Sequence, residues 1–116
     1  LIDRFPVETI SMDEFLAEHQ VDPETVNAVR MDLEGYELNV LRGMTNVLSA
    51  EGPLVLFIEF HPGFGGQKEY LNAITVLEEH GFKIRSVDQK WNLLNVESVE
   101  ELRLVRGTHV RVVAKK

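Results

Sequence analysis

Asp32, Glu34, Glu37, Glu59 and His61 are the residues whose types and spacing suit proton transfer or the holding of a polar ligand. The first three belong to Val29-Arg30-Met31-Asp32-Leu33-Glu34-Gly35-Tyr36-Glu37-Leu38-Asn39-Val40-Leu41-Arg42-Gly43, which reads as a buried strand, an acidic turn and an amphipathic helix. In open α/β sheets, ligands bind outside the carboxyl ends of the strands, where such a turn sits. A carboxylate there can serve as a base, bind a hydroxyl or ligate a metal. The plainer alternative has Glu34 favouring the helix start through the helix dipole and Asp32 accepting backbone hydrogen bonds. Glu37 follows Glu34 by one helical turn, so both can face the same way. Taken alone, Glu37 reads as part of a solvated face.

Glu59 and His61 form the second group. Leu54 to Phe60 is the strongest strand in the chain, and Glu59 is its only polar residue. A lone carboxylate in an apolar strand needs a partner or a cleft. Period-two alternation puts Glu59 and His61 on one side. With Asp32 they make a carboxylate and imidazole cluster suited to proton transfer or to a hard metal. The spacing matches no tight metal motif, so no metal is expected. The alternative for His61 is that it simply opens the following loop. His19, His80 and His109 lack such neighbours; His19 and His80 end helices, where positive charge is favoured. Trp91 reads as core or lid. Gly63, Gly65 and Gly66 lack the Gly-Lys-Ser/Thr end of a phosphate loop. The segment from His61 to Gln67 therefore reads as a mobile lid or substrate loop without regular structure.

The elements that position these groups follow from pattern. Phe5 to Ile10 is extended, and Ser11-Met12-Asp13-Glu14 is a capping box opening a helix with Phe15 and Leu16 as its apolar contacts. That helix stops near His19, and Val21 to Thr25 is a turn. Val26 to Met31 suits a strand covered on both faces. Leu38, Leu41, Met44 and Leu48 then share a helical face, broken or kinked at Gly43. After the strand 54–60 come a helix from Glu69 to His80, a left-handed cap at Gly81 and an edge strand from Phe82 to Val87. Trp91 to Leu94 is ambiguous, Val96 to Leu104 reads as a short helix, and after Gly107 a last strand runs from Thr108 to Ala114. Strands alternating with helices argue an α/β sheet with right-handed crossovers.

Composition narrows the class. The chain has 116 residues, enough for one domain, with a net charge of −7 and no cysteine. Thiol nucleophiles, thiolate metal sites and disulfides are excluded. The acidic balance argues against nucleic acid as a partner. No apolar run approaches the roughly 20 residues of a membrane helix, so a cytoplasmic protein without a membrane partner is expected.

These motifs resemble those of FkbM-type methyltransferases. Met31 to Gly43 is similar to that family's Lys-Ile-Asp-Val-Glu-Gly-x-Glu-x-x-Val-Leu-x-Gly signature. Val7-Glu8-Thr9-Ile10-Ser11-Met12-Asp13-Glu14-Phe15-Leu16 resembles its Val-x-Thr-Leu-Asp-x-Leu segment, Ile58-Glu59-Phe60-His61-Pro62 its Glu-x-His-Pro strand end, and His80-Gly81-Phe82 its later Gly-Phe. Arg30-Met31 replaces Lys-Ile, and Ser11-Met12 stands where Thr-Leu is common; neither departure moves the Asp or Glu positions. The resemblance implies an S-adenosylmethionine-dependent O-methyltransferase acting on a hydroxyl of a sugar, glycan or polyketide-like acceptor. It implies Asp32 or His61 as the catalytic base, with Glu34, Glu37 and Glu59 holding the acceptor.

In that class the cofactor rests on a glycine-rich turn after the first strand, and an acidic residue at the second strand end holds its ribose. Nothing before residue 26 offers Gly-x-Gly after an apolar strand. Residues 1–116 are thus expected to be one partial domain: the carboxyl-terminal half of a doubly wound, Rossmann-like sheet. It would have about four main strands, helices on both faces and an antiparallel last strand, with most of the cofactor site outside the chain and its cofactor-binding residues unknown. The strand 26–31 would then have an open edge, prone to pair with another chain or a second copy. Two other readings stand beside this one: a non-catalytic binding or oligomerisation module, and a metal-dependent hydrolase using Asp32, Glu34, Glu59 and His61.

Overall fold

The computed structural model describes residues 3–87 and 110–116. The expectations for Trp91, the helix 96–104, the turn at Gly107 and His109 lie outside the described residues.

The chain enters through an exposed segment with no regular structure up to Ile10. The capping box then forms: the Glu14 N–H donates to Ser11 Oγ at 3.1 Å, and the Ser11 N–H donates to the Glu14 carboxylate at 3.3 Å. The helix α1 (Met12–Glu18) buries Leu16. Phe15 is not a core contact as expected; it stays largely exposed and stacks on His19, with ring centroids 4.2 Å apart. A single 3-10 turn, Pro23–Thr25, leads into β1 (Ala28–Asp32).

The helix after the acidic turn is broken at Gly43, as the sequence predicts, into α2 (Glu37–Arg42) and α3 (Thr45–Ser49). The break is where α1 docks. A Cβ on Gly43 would lie 3.0 Å from the Ser11 Cβ. The Asp13 N–H donates to the Gly43 carbonyl at 3.0 Å, and the Asp13 carboxylate accepts the Asn46 N–H at 3.1 Å, satisfying an open amide of α3.

Next comes β2 (Val55–Phe60), and then a correction. Residues after His61 hold one helical turn, α4 (Pro62–Gly65), and not an irregular loop. Pro62 occupies the first helical position, where its fixed φ is already helical and its missing N–H is no loss. Gly66, at φ +90°, closes the turn and starts α5 (Gln67–Glu79). That helix ends in a Schellman motif: the Phe82 N–H donates to the Leu77 carbonyl at 3.0 Å and the Gly81 N–H to the Glu78 carbonyl at 2.9 Å, with Gly81 at φ +83°. Two strands follow, β3 (Lys83–Ser86) and β4 (Val110–Lys115).

The strands make one open sheet in the order β1-β2-β4-β3. β1 and β2 run parallel, with Met31 opposite Ile58 and Asp32 opposite Glu59. β4 is antiparallel to both β2 and β3, so the expected antiparallel last strand is present and separates them. Among the described residues β1 and β3 are the edges.

Alternation divides the sheet into two unlike faces. Met31, Leu56, Ile58, Phe60, Val112, Ala114 and Ile84 share one face and form a single core with Leu38, Leu41, Ile74 and Leu77 of the helices. Each fully buried aliphatic side chain contributes about 1.5–3 kcal/mol. Residues in between, including Arg30, Phe57, Arg85 and Val113, point the other way and are only part-buried or exposed. Among the described residues the helices therefore pack on one face, not both. α2 and α5 touch one another, which requires them to lie on the same side.

Candidate active site

The site forms where β1 and β2 end together. Asp32 is the last residue of β1, and its cross-strand neighbour Glu59 is the penultimate residue of β2. Both belong to the face away from the helical core. His61 follows the end of β2, and its imidazole sits between the two strands and the start of α2. Its Nε2 lies 3.2 Å from Asp32 Oδ1 and 3.7 Å from Glu59 Oε2. Its Nδ1–H donates to Glu37 Oε1 at 2.8 Å. The His61 side chain is 3% exposed, Glu37 5%, Glu59 11% and Asp32 42%. Asp32 is thus the group that an incoming molecule can reach, and the imidazole is its buried support.

Glu37 corrects the solvated-face reading. It is the first residue of α2, where a carboxylate is favoured by the helix dipole. Its Oε1 also accepts the Gly35 N–H at 3.2 Å. One buried carboxylate oxygen therefore ties the turn, the helix start and the imidazole together.

The turn itself is strained. The Tyr36 N–H reaches the Leu33 carbonyl at 3.4 Å, and the two residues between them, Glu34 and Gly35, have φ +52° and φ +101°. Positive φ at both central positions is what a type I′ turn requires. Glycine adopts it freely; a residue with a Cβ loses about 1–2 kcal/mol there. Such strain concentrates at functional sites. The structure gathers Asp32, Glu37, Glu59 and His61, and sets Glu34 on the exposed turn beside them.

Arg111 is the member that sequence reading missed. It lies opposite Glu59 in the antiparallel pair of β2 and β4. Its Nη2 is 2.5 Å from Glu59 Oε1, a charge contact without hydrogen-bond alignment. Only strand register brings it there, and no local motif announces it.

Sequence comparison identifies the family. The model of the methyltransferase FkbM domain matches residues 1–84, and the chain belongs to that family. It is 40% identical over 57 residues to the hexuronic acid methyltransferase AglP of Haloferax volcanii. That match covers 49% of this chain and 22% of the relative, so the matched stretch is under a quarter of that protein's length. No solved structure matches the chain. No described helix is long and apolar enough to cross a membrane.

Proposed function

We propose that the protein carrying this chain is an S-adenosylmethionine-dependent O-methyltransferase for a hydroxyl of a sugar-acid or glycan acceptor. In this reading the chain is the carboxyl-terminal half of a doubly wound sheet and supplies the acceptor side of the site. Family membership and the hexuronic acid methyltransferase relative support the reaction class. The observation that carries the assignment of roles is the run from half-exposed Asp32 through buried His61 to buried Glu37.

The described residues do not fit the methyl donor. The glycine amides beside the site are already used: the Gly35 N–H donates to Glu37, and the Gly66 N–H to the Pro62 carbonyl at 2.9 Å. A nucleoside cradle needs such amides open. We therefore derive no step through the donor, and the mechanism concerns the acceptor alone.

Asp32 takes the proton of the acceptor hydroxyl, leaving its oxygen nucleophilic. The His61 ring, itself fixed by Glu37, stands with its Nε2 3.2 Å from Asp32 Oδ1, so the groups around the base are in place before the acceptor arrives. Glu59, anchored by Arg111, lies 3.7 Å from the same imidazole nitrogen. Glu34, exposed on the turn, binds acceptor hydroxyls. Tyr36, next in the turn, also lines a separate open groove of about 590 Å³ against α1, which Asp32, Glu59 and His61 do not line. The test is methyl transfer from labelled donor to uronic-acid glycans by the full-length protein and its Asp32→Asn variant. Loss of transfer with the fold kept is expected; unchanged transfer removes Asp32 from the mechanism.

A further inference from the structure

We propose that Asp32, Glu59 and His61 form a binding site for a divalent cation with oxygen and nitrogen ligands, Mn²⁺ being the best match. Each offers one ligand atom, and these atoms lie within 4.8 Å of one another. Donors sharing an ion at about 2.1 Å stand about 3 Å apart when adjacent. His61 Nε2 and Asp32 Oδ1, at 3.2 Å, already have that spacing, and a small turn of the Glu59 carboxylate from 3.7 Å completes the set.

Independent features point to a ligand here. The Glu59 side chain is 11% exposed, and Arg111 holds its Oε1, which leaves Oε2 on the imidazole side. Among the described residues, three carboxylates, Asp32, Glu37 and Glu59, surround the imidazole against one guanidinium, that of Arg111. That excess negative charge, mostly removed from water, is relieved by a cation. His61 also has the support of a metal-binding histidine: its Nδ1–H donates to a buried carboxylate, which fixes Nε2 as the ligand atom. Half-exposed Asp32 leaves an entry path and open positions for water. Two carboxylates with one imidazole suit Mn²⁺ better than a thiolate-seeking ion.

The chain spacing of the set matches no tight metal motif, because the link between Asp32 and Glu59 is cross-strand register. The site stands without the methyltransferase reading. Only its role, making a bound acceptor hydroxyl easier to deprotonate, rests on that reading.

The experiment is a titration of the protein with MnCl₂, following loss of the free Mn²⁺ paramagnetic resonance signal. Saturable binding at one site is expected. Asp32→Asn should weaken it at least ten-fold, and Glu37→Gln, acting through His61, by about ten-fold. Glu34→Gln on the neighbouring turn should leave it unchanged. Circular dichroism confirms that each variant is folded, and the half-exposed position of Asp32 makes its variant the deciding one. Absence of saturable binding overturns the site. So does a Glu34→Gln effect as large as that of Asp32→Asn, which would indicate loose association with surface carboxylates. Tight Mn²⁺ binding by a protein that transfers no methyl group would keep the site and remove the proposed reaction.

Discussion

Glu37 and His61 are locked to each other at 2.8 Å, and neither side chain has appreciable contact with solvent. The imidazole cannot rotate without stranding a buried carboxylate, and the carboxylate cannot leave without releasing the Gly35 amide as well. The pair therefore acts as one rigid piece behind Asp32. Replacing Glu37 by Leu removes the acceptor for the buried His61 donor and the part-buried Gly35 amide. A loss of about 1–3 kcal/mol is expected, read as a lower urea midpoint. Glu37→Gln keeps an oxygen and should lose less.

Asp32 has the opposite character. It is half-exposed and supports no core contact, so Asp32→Asn should leave the unfolding midpoint nearly unchanged. Loss of a positioned base typically slows turnover by about 10²–10⁴. Steady-state methyl transfer, paired with thermal unfolding of the same samples, checks both halves.

Glu34 offers a trade between stability and function. Its φ of +52° is unfavourable for any side chain. Glu34→Gly removes a strain of about 1–2 kcal/mol and adds about 0.5–1 kcal/mol of unfolded-state entropy. A net gain near 0.5 kcal/mol is expected. If Glu34 binds the acceptor, the same variant raises KM while kcat changes little. A variant that is neither more stable nor altered in KM would remove both roles.

Gly52 sits under a different constraint. A Cβ there would fall 2.8 Å from the Glu24 carbonyl oxygen, which is backbone and cannot swing aside. The Glu24 carboxylate meanwhile accepts the N–H groups of Glu51 and Gly52 at 3.0 and 2.9 Å. Gly52→Ala should cost about 1–3 kcal/mol through overpacking and loss of this clamp, measured by denaturant unfolding.

The edge of β1 makes a prediction about assembly. Among the described residues β1 has β2 as its one neighbour, so its outward amides have no strand partner. We expect amides of Ala28 to Asp32 directed away from β2 to exchange quickly in dilute monomer. They should slow as concentration rises, if the edge pairs with a second copy. Strong protection at high dilution would contradict an open edge.

What could be read in advance follows the range of the interactions. The capping box, the break at Gly43 and the left-handed Gly81 are local, and each is where its residues say. The gathering of Asp32, Glu59 and His61 was legible because strand ends and period-two alternation are local too. Glu37 was misread because its burial depends on the end of β2, far away in sequence. Arg111 needed the register of an antiparallel pair. The turn α4 was missed because its glycines suggest disorder, while Pro62 and Gly66 together frame one helical turn. The described helices share one face of the sheet, while the further helix expected over 96–104 lies outside the described residues.

The placement of β4 between β2 and β3 also governs how the molecule is born. Residues 83–86 have their strand partner in residues 110–115, and Glu59 meets its guanidinium through Arg111. On the ribosome, a nascent chain that has not yet released residue 111 holds an unzipped β3 and an uncompensated glutamate. The reactive corner consequently matures only once residue 111 has emerged, and a premature stop before Val110 would spoil it while leaving every residue of the acidic elbow in place.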